Sequence, residues 1–352
     1  MPSQHLRPEN IRTSAVGTRL CEAKQLVIME AKREGEVVCV TGGSVFIGSC
    51  LVHLLLRRGY TVHATVKNLG DEKETKHLEA MEGAESRLRL FQMDLLDYDS
   101  IVAAVTGATG VFHVASPCVV VEVDDPQREL LDPAVKGTIN VLTAAKAVGV
   151  RRVVVTSSIS AMATSPRNLP DMAKDENCWV DEEYCKQNGL WYPLSKALAE
   201  RAAWKFAKEN DLDIVVVHPG TALGPIIPPA INASMQINLQ ILQGTEQPVE
   251  FFMAFVHVKD VALAHVLVYE NTSAKGRHLC VESLSQYDDF AAKLAELYPE
   301  YKVPRSTKDD QAGSITTKGA SKKLIDLGLE FTPLDQIIKD SVESLRSKGY
   351  LS

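Results

Sequence analysis

The sequence predicts an α/β protein: a doubly wound, mostly parallel sheet with a smaller C-terminal lobe. Three observations carry this. Short apolar, β-branched runs alternate with helical segments from residue 36 to residue 220, the pattern of stacked βαβ units. The first run, EVVCVTGGSVFIGS (residues 36–49), passes through glycines into an amphipathic segment, which reads as buried strand, tight turn and helix start. Beyond Gly220 the regular alternation stops at Pro225, Pro228 and Pro229, so a different lobe begins there.

The elements follow in order. A helix over residues 46–58 is stopped by Gly59, and TVHATV (residues 61–66) alternates as the second strand. A charged helix occupies residues 71–82, and LRLFQMDL (88–95) is the third strand. GVFHVASP (110–117) is a fourth strand ending in small residues, where a flat ring can pass close by. Residues 130–148 form a long helix, RRVVVTSS (151–158) the fifth strand and DIVVVHPG (213–220) the sixth. In the C-terminal part, helices are expected at residues 232–243 and 256–270. The expected division is an N-terminal extension over residues 1–35, a dinucleotide-binding domain over 36–220 and a mainly substrate-binding lobe over 221–352. Met29 offers a translation start just before the first strand.

Composition narrows the function. The 352 residues carry 45% hydrophobic and 24% charged side chains, the balance of a globular protein. A net charge of −7 argues against a nucleic-acid partner. No apolar run reaches the length of a membrane span. The seven cysteines show neither a disulfide framework nor metal-ligand spacing, so a reducing, cytoplasmic compartment is expected and no metal. Cys178 and Cys185 lie close enough in sequence to pair under oxidation. A monomer or homodimer is expected.

The glycine turn suits a pyrophosphate, because a helix N-terminus presents unpaired backbone N–H groups and a positive dipole end. Gly42 supplies the turn and Gly48 the close approach of helix to strand. The middle glycine of the usual fingerprint is replaced by Val45. The residue following the second strand meets the adenosine ribose in such folds, where a cation suits the 2′-phosphate of NADP. Here it is Lys67, with Lys73 close behind, and NADP(H) is the expected cofactor. Asp94, at the end of the third strand, can meet the adenine edge.

Catalytic chemistry is expected from WYPLSKALAE (residues 191–200). Tyr192 and Lys196 lie four apart and share one helix face. An ammonium beside a phenol favours phenolate and equips the tyrosine as a general acid. Ser158, at the end of the fifth strand, can hold a carbonyl oxygen while Tyr192 protonates it.

These segments, with HATVKN, LLDYDS, GTINVLTAAK, HPGTALGP, VHVKDVALAH and GRHLCVES, resemble the extended short-chain dehydrogenase/reductases. Within them, the likeness is to the plant group of cinnamoyl-CoA reductase-like, dihydroflavonol reductase-like and phenylacetaldehyde reductase-like enzymes. The resemblance runs from about residue 35 to the C-terminus. It implies a Rossmann fold and NADPH-dependent reduction of an aromatic or phenylpropanoid-type aldehyde, ketone or CoA thioester. Ser158, Tyr192 and Lys196 would form the catalytic triad, with Lys196 also on the nicotinamide ribose. Gly42, Phe46, Ile47, Lys67, Asp94, Leu95, Ala115 and Ser116 would line the cofactor, and Pro219 would lie near the nicotinamide.

Four departures from the group stand out. Val45 would crowd the pyrophosphate, through a clash or a strained backbone, and motivates an alternative in which the chain binds cofactor poorly and is weakly or non-catalytic. GLWYPL (residues 189–194) stands where cinnamoyl-CoA reductases carry NWYCY. Ile237 and Gln240 stand where those enzymes place a histidine and a lysine associated with CoA-thioester use. His218 replaces a usual asparagine beside the site, as a hydrogen-bonded structural residue or an active one. A sugar-nucleotide epimerase or dehydratase on the same scaffold would retain NAD, and Lys67 speaks against it.

Overall fold

The protein is represented by a computed structural model that describes residues 35–117, 124–163, 176–245, 252–304 and 321–352. The N-terminal extension lies almost wholly outside them. The strands are β1 (Val37–Thr41), β2 (Thr61–Val66), β3 (Leu88–Gln92), β4 (Gly110–His113), β5 (Arg152–Thr156), β6 (Ile214–Pro219), β7 (Thr221–Leu223), β8 (Phe252–His257), β9 (Gly276–Cys280) and β10 (Ser283–Gln286). Seven of them form one parallel sheet in the order β3-β2-β1-β4-β5-β6-β9. This is the expected Rossmann-type architecture.

The centre of the sheet is buried on both faces because β1, β4, β5 and β6 are largely apolar at successive positions. Val38 and Val40 pack into one core with the Phe46–Arg57 and Val258–Glu270 helices. Cys39, between them, faces the opposite core, built from the Tyr98–Val105, Asp132–Ala147 and Trp191–Asn210 helices. Strand order reverses at β1, which lies between β2 and β4. A crevice opens beyond the carboxyl ends of such strands, where open α/β sheets bind ligands.

Several elements are shorter than expected. β3 ends at Gln92 and β4 at His113, leaving residues 93–95 and 114–117 as loops on the carboxyl edge. The long central helix begins regularly at Asp132, after a π-helical turn over Gln127–Leu131. Pro133, lacking an N–H, is tolerated in the first turn. The helix expected from residue 256 starts at Val258, because Val256 and His257 belong to β8. The His257 imidazole accepts the Lys259 N–H at 3.0 Å and caps the helix there.

The C-terminal third has two destinations. β9 returns to the main sheet beside β6. β7, β8 and β10 form a separate three-stranded sheet, with β8 and β10 antiparallel. Among the described residues no helix is long and apolar enough to cross a membrane. Cys178 and Cys185 are both free thiols.

Candidate functional site

The glycine turn sits at the carboxyl end of β1. Gly42 has φ +66°, in the left-handed region that favours glycine. A side chain there would press on Ala115, whose Cα lies 3.1 Å from an added Cβ. Gly48 is constrained more tightly: an added Cβ would stand 2.0 Å from the Gly42 carbonyl oxygen. The two glycines therefore close the turn onto the helix. β2 is tied to the same turn, since Thr65 accepts the Gly42 N–H through Oγ1 at 2.9 Å and the Gly43 N–H through its carbonyl at 2.8 Å.

Val45 occupies the helix N-cap with φ −83° and ψ 169°, ordinary extended backbone. The strained backbone expected from replacing glycine is therefore absent. The valine side chain is 48% exposed and rises from the rim of the turn. No side chain caps the Phe46–Arg57 helix and no acidic residue lies in its first turn, so the N–H groups that open a helix are left for an anion. Phe46 is buried and Ile47 half-buried behind them. This cradle fits a dinucleotide pyrophosphate.

The remaining cofactor candidates line the same edge. Thr41 Oγ1 accepts the Val114 and Ala115 N–H groups, both at 3.1 Å, which fixes Ala115 and leads to half-buried Ser116. Leu95 is half-buried, and its side chain packs against Gly137. Asp94 is exposed and accepts the Leu96 N–H at 2.8 Å. Lys67 and Lys73 are exposed at the end of β2 and in the following helix. Pro219 is buried at the carboxyl end of β6.

Tyr192 and Lys196 lie in the Trp191–Asn210 helix. Pro193 falls in its first turn, where no backbone N–H is required. The Lys196 ammonium stands 5.9 Å from the centre of the Tyr192 ring; the lysine is only 7% exposed, whereas the tyrosine is half-buried. Burial, and secondarily the Lys196 charge, push the His113 pKa down to about 3. A neutral His113 can accept from the Thr41 hydroxyl at 2.9 Å through Nδ1 and donate to Thr138 at 3.2 Å through Nε2. Ser158 follows β5. Its hydroxyl oxygen accepts the Ser160 N–H at 3.1 Å, which leaves its proton to be donated elsewhere.

Behind this group lies a buried network that the sequence reading missed. Glu200, 1% exposed, is one turn beyond Lys196. Its carboxylate accepts from Ser157 Oγ at 2.7 Å, His218 Nε2 at 2.7 Å, Arg277 Nε at 2.7 Å and Trp204 Nε1 at 3.2 Å. Burial alone would raise the Glu200 pKa, but the His218 imidazole and Arg277 guanidinium override it and hold the carboxyl at about 2. His218 is fully buried and hydrogen-bonded within this network. Arg277 also stacks on Trp179 with its guanidinium carbon 4.0 Å from the ring centre. The four-residue step from Tyr192 through Lys196 to Glu200 was the available signal for this network.

Comparison with known proteins identifies the family of the chain. Residues 38–281 match the NAD dependent epimerase/dehydratase family. The chain is 46% identical over 324 residues to a cinnamoyl-CoA reductase of Medicago truncatula, covering 92% of this chain and 99% of that protein. Its fold is similar to that of vestitone reductase from alfalfa, Medicago sativa, with a TM-score of 0.76, 30% identity and coverage of 90% and 99% of the two chains. It is also similar to yeast methylglyoxal/isovaleraldehyde reductase complexed with NADPH, with a TM-score of 0.75, 26% identity and coverage of 90% and 100%. The chain belongs to the NAD dependent epimerase/dehydratase family, within the extended short-chain dehydrogenase/reductases, and is an oxidoreductase of that family.

Proposed function

We propose that this oxidoreductase is an NADPH-dependent reductase of an aromatic or phenylpropanoid-type aldehyde or ketone. NADPH, when bound, supplies the hydride. Tyr192 donates its phenolic proton to the substrate's carbonyl oxygen, and the Lys196 ammonium stabilises the phenolate left behind. Ser158 donates its hydroxyl proton in a hydrogen bond to the same oxygen and so holds the carbonyl in place. The Gly42 turn and the opening of the Phe46–Arg57 helix would hold the pyrophosphate, with Lys67 and Lys73 toward the 2′-phosphate.

The observation that carries this reading is the buried Lys196 ammonium held 5.9 Å from the Tyr192 ring, on a helix tied to the Ser157–Ser158 strand end through Glu200. The Ala233–Leu242 helix of the substrate lobe, ASMQINLQIL, has no charged residue. Ile237 and Gln240 lie on it, the former exposed and the latter half-buried. A surface of this kind suits a neutral carbonyl compound better than a CoA ester, whose phosphates call for cations.

The test is NADPH consumption with cinnamaldehydes, phenylacetaldehyde, dihydroflavonols and hydroxycinnamoyl-CoA esters, in the native protein and in Tyr192→Phe. A neutral carbonyl substrate should be reduced, and Tyr192→Phe should lose roughly 10²- to 10⁴-fold in rate, the scale of one general acid. No consumption with any of these compounds, or a Tyr192→Phe rate equal to native, contradicts the proposal.

A further inference from the structure

The loop after β2 carries an acidic side chain beside the cations Lys67 and Lys73. Glu74, in the Glu72–Glu79 helix, folds its carboxylate back onto this loop. Its Oε2 accepts the Lys67 N–H at 2.6 Å and the Asn68 N–H at 3.4 Å. Two adjacent backbone N–H groups converging on one oxygen make a small anion-binding notch, here filled by the protein's own carboxylate.

The notch is placed where it affects the cofactor. The end of β2 is bonded to the Gly42–Gly43 turn through Thr65, and Lys67 is the first residue beyond that strand. In this class of fold, a dinucleotide with its pyrophosphate on the first helix brings its adenosine ribose to that position. A carboxylate there suits the ribose 2′-hydroxyl of NADH, as an acceptor. It opposes the 2′-phosphate of NADPH, which carries close to two negative charges. Lys67 and Lys73, both exposed, act in the opposite sense.

We infer that Glu74 is a cofactor-discriminating residue: its carboxylate, seated on the Lys67 and Asn68 N–H groups beside the ribose position, repels the 2′-phosphate and so narrows the preference for NADPH over NADH set by Lys67 and Lys73. This rests on the cofactor site proposed above. Glu74→Gln keeps an oxygen acceptor for the two N–H groups and removes only the charge, so the loop retains its bonds.

The experiment is fluorescence titration of the full chain with NADPH and with NADH, in the native protein, Glu74→Gln and Lys67→Ala. Glu74→Gln should tighten NADPH by about fivefold or more, the scale of one like-charge contact near a protein surface, and leave NADH within about twofold. Glu72→Gln, whose parent side chain is exposed and paired with Lys76 at 2.6 Å, controls for general charge and should leave the ratio of the two affinities unchanged. A ratio unmoved by Glu74→Gln, or moved toward NADH, overturns the inference. If Lys67→Ala then weakens NADPH alone, the cofactor site stands and only the role of Glu74 fails. If neither substitution alters either affinity, the placement of the ribose fails with it. Should Glu74→Gln not fold, Glu74→Asp keeps the charge but draws it back from the Lys67 N–H. It should tighten NADPH by a smaller factor, and no change would count against the inference.

Discussion

At the scale of single residues, the glycine turn separates two demands that a sequence fingerprint merges. Gly42 and Gly48 are fixed by the protein's own contacts: one has φ +66°, and the other leaves no space for a Cβ beside the Gly42 carbonyl. Gly48→Ala should therefore force the turn and helix apart and lower stability by about 1–3 kcal/mol, read as a fall in the urea midpoint. An unchanged midpoint would mean that the turn yields without strain. The middle position obeys a different rule. Val45 has extended backbone and a half-exposed side chain, so only an approaching ligand could require glycine there. Sequence reasoning assigned the turn to Gly42 and the close helix approach to Gly48, but at Val45 it also allowed for a strained backbone, since residue type does not reveal φ.

At the scale of elements, the Trp191–Asn210 helix joins site and scaffold. Tyr192 and Lys196 were legible because a four-residue step places both on one face. Glu200 continues the step, yet a helix glutamate is usually solvated. Apart from Trp204, its partners come from the end of β5, from β6 and from β9, and the Arg277 pairing across 77 residues leaves no local pattern. Arg277→Met should remove the guanidinium and leave the Glu200 carboxylate buried with one cationic partner fewer. Breaking a buried pair in this way costs roughly 3–5 kcal/mol, so the urea midpoint should drop sharply; a change no greater than that of a surface substitution would show the pair to be dispensable. β9 illustrates the same limit on reading the chain. Its five residues, GRHLC, lie far along the sequence from the sixth strand and hold charged and polar side chains that local pattern does not mark as central sheet, yet they pair with β6.

At the scale of the whole molecule, buried histidines set the response to acid. Burial holds His265 and His257 down to about 4, and burial with the Lys196 charge holds His113 to about 3. These folded-state values lie below the usual 6.5, so the unfolded chain binds protons first and stability falls as pH drops below about 6.5. His113 and His265 would each contribute a loss of about 3 kcal/mol by about pH 4. Asp260 works the other way, since burial raises it to about 6, and returns about 2 kcal/mol over the same interval. Glu200 adds a loss below about pH 4.5, as its carboxyl is held at about 2. The urea midpoint should therefore fall by the equivalent of several kcal/mol between about pH 7 and about pH 4, and a flat profile would contradict the neutral buried imidazoles.

The central claim, that Tyr192 protonates a carbonyl while NADPH delivers hydride, is tested most directly by single-turnover oxidation of bound NADPH with an aromatic aldehyde, in native protein and in Tyr192→Phe at matched saturation. The account predicts equal NADPH affinity for the two, rapid oxidation in the native protein and a rate lower by roughly 10²- to 10⁴-fold in the variant. Native protein that binds no NADPH, or a variant that oxidises it as fast as native, would contradict it.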